Sequence, residues 1–280
     1  VEFKFENGFI PIQTRHDKQF ANGVGAVNDA WKSIRDHIDI KLLKNGPYVF
    51  CGRKFHNSIK DDLIKTYMKY KLVLDIGSGA GGDIGKYAKH KAKQVVGIDI
   101  VDVQYPHNTS VMRFYKASTE LYKIKNIIKK DKVQLFDVVN CQFAVHYFFK
   151  SVATLSNFVN NVKSCLKPNG TLVITCLDGN SLLSLTNNNT KYNSSAVSIK
   201  LGKQGNNITG NPVQIQLKGT KYFKNKQSDE YLVNINQFVH YMASNSFTLK
   251  ERKPFQDYCK KFSSSCDLMS SDEKTYSFLN

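Results

Sequence analysis

From residue 71 onward, apolar residues in this chain fall into short blocks set apart by polar and glycine-rich turns, and the blocks alternate in period. Residues 72–76, 94–99, 135–141 and 171–176 are near-continuous apolar, β-branched runs that predict buried parallel strands, with a weaker fifth run at 110–116. Residues 82–91, 118–130 and 151–166 carry helical spacing. The last of these stops at Lys167-Pro-Asn-Gly170, where proline and glycine end a helix and turn the chain. Such alternation predicts an α/β fold, a doubly wound sheet with a parallel core. Residues 187–211 are rich in Asn, Ser, Thr and Gly and predict hairpins and mobile loops. Apolar patterning resumes at Glu230-Tyr-Leu-Val233, and 235–244 predicts a helix. The first fifty residues do not fit this sheet: 9–18 predicts a terminal strand and 24–34 a helix, together an arm.

Chemistry is concentrated where two of these strands end. The first runs into Asp75-Ile-Gly-Ser-Gly-Ala-Gly-Gly-Asp83. Glycines there let the turn take positive φ and let a ligand lie against bare backbone beside a helix N-terminus. The second ends in Asp99, the position from which a carboxylate accepts from a ribose hydroxyl. Gly77, Gly79 and Gly82 also satisfy a dinucleotide fingerprint, but Asp75 and Asp83 bracket the loop and oppose a pyrophosphate. They suit S-adenosylmethionine, which carries a sulfonium and an ammonium and no phosphate. The strand at 135–141 leads into Gln142, Phe143, His146 and Tyr147, just past a strand carboxyl end, where open α/β sheets bind ligands.

Composition adds a partner. A formal charge of +17, with 41% hydrophobic and 22% charged residues in 280, fits one large domain with an appendage and points to a polyanion, nucleic acid first. Lysines cluster at 86–93, 123–132, 218–226 and 250–261, mixed with Tyr122, Tyr222, Phe223 and Phe255. No apolar run reaches membrane-span length. The N-terminus, without methionine or signal pattern, reads as a cut inside a longer polypeptide. Six cysteines without Cys-x-x-Cys spacing read as reduced and structural, and no metal is expected.

Taken together, Phe55-His-Asn-Ser-Ile-Lys60, the glycine loop, Asp99-Ile-Val-Asp102, Cys141-Gln-Phe-Ala-Val-His-Tyr147 and Glu230-Tyr-Leu-Val233 resemble the mRNA cap guanine-N7 methyltransferases. The likeness is greatest to the methyltransferase portion of multifunctional capping enzymes of large cytoplasmic DNA viruses. The resemblance implies a class I S-adenosylmethionine-dependent methyltransferase fold, Rossmann-like, a mixed sheet with helices on both faces. It implies methyl transfer to the cap guanine N7 by direct in-line displacement, with no general base. It assigns Lys60, Asp75, Gly77, Gly79, Asp83, Asp99, Ser118, Gln142 and Phe143 to the cofactor, and Asn57, His146, Tyr147, Glu230 and Tyr276 to the cap, Tyr276 from a closing strand at 275–278. The family's acidic residue after the third strand is missing from Tyr115-Lys-Ala-Ser-Thr119, and Ser58 replaces a Trp.

Residues 51–280 are then the methyltransferase domain. Arg15-His-Asp-Lys18 with Asn22 resembles the last motif of a guanylyltransferase, so 1–50 reads as the remnant of an OB-type domain and its linker. Implied partners are the capped mRNA 5′ end, upstream triphosphatase and guanylyltransferase domains of the same polypeptide, and a stimulatory subunit. The implied location is host cytoplasm and virion. The competing readings are a silent RNA- or cofactor-binding module and a methyltransferase for another acceptor.

Overall fold

The computed structural model of the chain describes residues 2–5, 9–13, 50–101, 111–131, 135–187, 189–218 and 228–280. The chain divides into two compact units, Val1–Gly46 and Pro47–Asn280. In the first, β1 (Glu2–Phe5) and β2 (Phe9–Gln13) pair as an antiparallel hairpin. The expected helix at 24–34 and the Arg15–Lys18 motif with Asn22 lie outside the described residues.

The second unit opens with α1 (Gly52–Tyr67) and then alternates: β3 (Leu72–Ile76), α2 (Ile84–Lys89), β4 (Gln94–Asp99), β5 (Met112–Lys116), α3 (Ile124–Ile127) and β6 (Phe136–Gln142). A 3₁₀ turn (Val145–Lys150), α4 (Val152–Cys165), β7 (Leu166–Thr175) and α5 (Gly179–Thr186) follow. The five strands form one sheet in the order β5-β4-β3-β6-β7, parallel throughout. The antiparallel strands gather in a second sheet of order β11-β10-β9-β8, made of β8 (Lys191–Asn193), β9 (Val197–Leu201), β10 (Pro212–Leu217) and β11 (Ser228–Tyr231). The chain ends with α6 (Ile235–Ser244), a 3₁₀ turn (Phe255–Tyr258), α7 (Ser263–Cys266) and α8 (Ser271–Ser277).

Strand alternation sends successive side chains to opposite faces of the parallel sheet. Leu74, Ile76, Val96, Ile98, Val139 and Cys141 pack with Phe158 and Val162 of α4 and with Phe238 and Met242 of α6. Val73, Val95, Val138 and Val173 pack with Ile64 of α1 and Tyr87 of α2 on the other face. Each fully buried side chain of this size contributes about 1.5–3 kcal/mol, so both faces are strongly specified.

Four expectations need correction. The helix expected over 118–130 is only α3. Asn157 and Asn161 of α4 donate to the carbonyls of Thr119, Glu120 and Tyr122, and Asn161 Oδ1 accepts from Ile124 N–H, so side chains hold the preceding segment out of helix. The helix expected over 82–91 is shortened to α2. Its end is set by His90 and by Lys91 at φ 56°, which turns the chain back toward β4. The closing strand at 275–278 is instead the end of α8, because Ser270 and Glu273 form a reciprocal capping box that starts a helix. The cysteines are not all reduced: Cys259 and Cys266, with Cα atoms 5.4 Å apart, are bridged, while Cys51, Cys141, Cys165 and Cys176 form no disulfide.

Candidate active site

The glycine loop leaves the central strand, β3, in a conformation only glycine takes easily. Gly77 has φ +76°, donates to Ile98 O at 2.9 Å, and has no room for a Cβ, which would lie 2.3 Å from that of Ala144. Gly79, at φ +56°, differs: nothing lies within 4 Å of where its Cβ would point. Its N–H donates to Asp99 Oδ2 at 2.8 Å, and Asp99 Oδ1 accepts from Val101 N–H at 2.8 Å. Asp99 therefore ties the loop to the end of β4 and keeps further lone pairs for a ligand.

Beneath the loop runs a buried polar chain. Asp75 pairs in register with Asn140 of β6, whose Nδ2 donates to Asp75 Oδ1 at 2.9 Å and reaches the Tyr87 hydroxyl at 2.8 Å; Gln142 Nε2 donates to Asn140 Oδ1 at 3.0 Å. Burial, with the nearby Asp83 charge, pushes the Asp75 carboxyl up to about 7. Asp83 behaves oppositely. Burial opposes its ionisation, but Lys60 of α1 and Lys86 of α2, each 2.5 Å away, outweigh it and hold the carboxyl below its usual range. Lys86 also donates to Asn57 Oδ1 at 3.3 Å, so α1 brings both Asn57 and Lys60 to the loop. The two carboxylates are thus unequal: Asp83 is neutralised, and Asp75 is the one that a cation would ionise.

Beyond β6 the chain turns sharply. Phe143 has φ +54°, rare for a bulky residue, and is held there by its N–H donating to Thr175 O at 2.9 Å and Thr175 Oγ1 at 3.2 Å. Its ring stacks on His56, centroids 5.4 Å apart, and meets Phe255 edge-on at 5.8 Å. The 3₁₀ turn then places His146 Nε2 3.6 Å from Glu230 Oε2 of β11, with the Tyr147 ring 4.2 Å from that of His146. Burial lowers His146 to about 4 and His56 to about 3, in His56 with help from Lys60, so both imidazoles are neutral near pH 7. His146, Glu230, Leu177, Leu182 and Val213 line a cavity of about 10 Å³. Tyr276 is buried on α8, its hydroxyl pushed up by burial and by the charge of Glu230.

The sequence-read residues therefore form two neighbouring groups. Lys60, Asp75, Gly77, Gly79, Asp83, Asp99 and Gln142 surround the loop; His146, Tyr147, Glu230 and Tyr276 form the second, and Phe143 joins them through His56, whose ring lies 6.5 Å from that of Tyr276. Asn57, expected on the acceptor side, contacts Lys86 at the loop. Ser118 follows β5 and, among the described residues, has no hydrogen bond to the other candidates. Sequence reading missed His56, Asn140, Tyr87 and Phe255. Asn140 left a signal, a polar residue inside an apolar strand, and His56 sat inside a quoted motif; Tyr87 was not singled out, and Phe255 was read only as an aromatic among the lysines of 250–261.

The loop fits a nucleoside carrying a cation. Gln142 Oε1 and Ser78 Oγ are buried without hydrogen-bond partners, and Asp75 adds another acceptor. An ammonium or hydroxyl donor satisfies such acceptors, whereas a pyrophosphate needs cations, and Lys60 and Lys86 are committed to Asp83.

A parallel sheet with a glycine loop after its central strand, a carboxylate ending the next strand and acceptor-side residues beyond β6 defines a class I S-adenosylmethionine-dependent methyltransferase domain. The CcbJ methyltransferase of Streptomyces caelestis shares this fold with a TM-score of 0.51, at 11% identity over 80% of this chain and 86% of its own. The family described as mRNA (guanine-N(7))-methyltransferase domain matches residues 27–271, and the chain belongs to it. Among relatives, a probable mRNA-capping enzyme of Acanthamoeba polyphaga mimivirus is 29% identical over 61% of this chain and 21% of its own length. The mRNA cap guanine-N(7) methyltransferase of Drosophila melanogaster is 25% identical over 76% of this chain and 56% of its own. That of Schizosaccharomyces pombe is 31% identical over 50% of this chain and 42% of its own. The chain thus spans about a fifth of the viral relative and about half of the cellular ones.

Proposed function

We propose that this chain transfers a methyl group from S-adenosylmethionine to N7 of the cap guanine of mRNA. The observation that carries the reading is the facing pair of neutral His146, in the 3₁₀ turn beyond β6, and buried Glu230 of β11. When bound, the cofactor supplies an electrophilic methyl group on a sulfonium. Guanine N7 has a free lone pair and needs no proton removed, so the residues have to align and desolvate rather than act as acid or base. Holding the two reactants in line supplies on the order of 7–11 kcal/mol.

In this reading Asp75, Gln142 and Asp99 hold the cofactor's donors, and Gly79 leaves the space in which it lies. Phe143 and Tyr147 pack against the two ligands. Glu230 accepts from guanine N1–H and the exocyclic amine, and neutral His146 donates to O6, which reads a guanine edge rather than an adenine one. The cavity between them has room for about one water, so β11 and the 3₁₀ turn separate to admit the base. The +17 charge supports an RNA substrate. The mimivirus capping enzyme and the Arg15–Lys18 motif support a place beside triphosphatase and guanylyltransferase domains in one polypeptide; a stimulatory subunit and action in host cytoplasm and virion belong to the same proposal.

Glu230→Gln tests the cap assignment. It keeps the shape but turns an acceptor into a donor facing N1–H or the amine, and sites built on such bonds discriminate by orders of magnitude. The expected outcome is a fall in kcat/KM on GpppA of at least about a hundredfold, with cofactor Kd unchanged within a few-fold. Equal turnover in both proteins removes Glu230 from the cap pocket.

A further inference from the structure

A second cavity, of about 310 Å³, lies beside the one that holds His146 and Glu230, and Leu232 lines both. It opens where α5 and α6 begin, against the loop joining β9 to β10. Its wall combines carboxamides, among them Asn180, Gln204, Asn207, Asn211, Asn234 and Gln237, with the apolar Leu183 and Leu232, and no charged side chain lines it. In a chain with 63 Lys, Arg, Asp and Glu residues (40 + 23), a neutral polar lining singles this cavity out.

Its geometry is fixed from within. Asn234 Oδ1 caps α6 by accepting from Gln237 N–H at 3.1 Å, and its Nδ2 donates to Asn180 Oδ1 at 3.1 Å, which leaves the Asn180 amide hydrogens for another acceptor. Asn211 braces the loop, accepting from Gly205 N–H at 2.7 Å and donating to Asn207 O at 2.7 Å. Gln204 Nε2 donates to the carbonyls of Gly202 and Pro212, while its Oε1 is buried with no partner. Buried acceptors of that kind are normally satisfied. Beside the cavity, Arg252 Nη1 donates to Asn236 Oδ1 at 2.9 Å and Nη2 to Asp178 Oδ2 at 3.2 Å, which sets a guanidinium next to a neutral interior.

Carboxamides offer one donor and one acceptor on one plane, the pattern that pairs with the edge of a nucleobase, and the volume lies at the lower end of small-ligand pockets, about 300–1,000 Å³. A phosphate would find no cation inside. We propose that this cavity is a subsite for an unstacked nucleobase of the transcript, beyond the first nucleotide behind the cap. The inference rests on the cap-methyltransferase reading, and its test is arranged so that the two fail separately.

The test uses the full chain with Gln237→Leu, Asn207→Leu and, as the conservative control, Gln237→Asn. Substrates are GpppA and a capped ten-nucleotide RNA. A parallel binding arm uses an uncapped ten-nucleotide RNA with 2-aminopurine at its second position, the first base that GpppA lacks, whose fluorescence reports insertion of that base. For the leucine variants the expected result is a KM about tenfold higher for the ten-nucleotide substrate, an unchanged KM within twofold for GpppA, and loss of the 2-aminopurine signal, with Gln237→Asn near wild type. Equal changes on both substrates, or no change on either together with an undiminished 2-aminopurine signal, overturn the subsite. A wild-type protein that methylates neither substrate but shows the 2-aminopurine signal, lost in the leucine variants, overturns the cap reading and leaves the base subsite standing.

Discussion

Asp75 is where residue chemistry and cofactor choice meet. Its carboxyl is pushed up to about 7, mainly by burial, against an ordinary value near 3.8. The folded chain therefore holds a proton there that the unfolded chain has lost, and the associated stability, full below about pH 4, is lost as pH rises through about 7. A cationic ligand reverses this by favouring the carboxylate. Affinity for S-adenosylmethionine is expected to rise with pH up to about 7 and then level off, with proton release on binding below that point. Asp75→Asn should bind weakly and without this pH dependence; calorimetry in two buffers of different ionisation enthalpy measures both. A wild-type affinity that is flat from pH 5.5 to 8 contradicts the role given to Asp75. His56 and His146, lowered to about 3 and about 4, act in the opposite sense, destabilising the fold as pH falls below about 6.5.

At the scale of elements, the strand-to-loop junction after β3 separates packing from binding within three residues. Gly77→Ala adds left-handed strain, roughly 1–2 kcal/mol, and also collides with Ala144, so it should cost more stability than Gly79→Ala, which adds only the strain. Binding should rank the other way for a given loss of stability, because the Gly79 methyl enters the open ligand space. Denaturant midpoints beside cofactor Kd for the two variants check the ranking, and equal behaviour in both measurements refutes it. The same elements show what a sequence discloses. Four of the five parallel strands were readable because strands buried on both faces are continuous apolar runs, whereas β5, with Arg113 and Lys116 and only partly buried, gave a weaker signal; the loop was readable because its glycines and flanking carboxylates are contiguous. Unreadable was a feature set by partners far away in the chain: the Ser118–Lys123 segment is unwound by Asn157 and Asn161. Two local features were missed, the Cys259–Cys266 bridge seven residues apart and the Ser270–Glu273 capping box that starts a helix over the strand read at 275–278. Site residues were readable when they lay in a compact motif. His56 and Phe255 entered the site only through the stack on Phe143, which no spacing encodes.

For the whole molecule, a charge of +17 predicts how the substrate arrives. Counterion release makes binding of a long capped RNA fall steeply and linearly with the logarithm of salt, in proportion to the phosphates neutralised, while a cap dinucleotide should respond far less. Matching slopes for the two ligands, measured by fluorescence anisotropy between 50 and 300 mM salt, mean that the basic surface is no RNA track. In the proposed reading the neutral His146 and Glu230 pair does what the lysines cannot, which is to select one base. The central claim is the position of the methyl group. Incubating the protein with methyl-labelled S-adenosylmethionine and GpppA or GpppG, then digesting and resolving the products, should give all label in 7-methylguanosine from both acceptors. Label at any other position, or transfer to neither dinucleotide, contradicts the account.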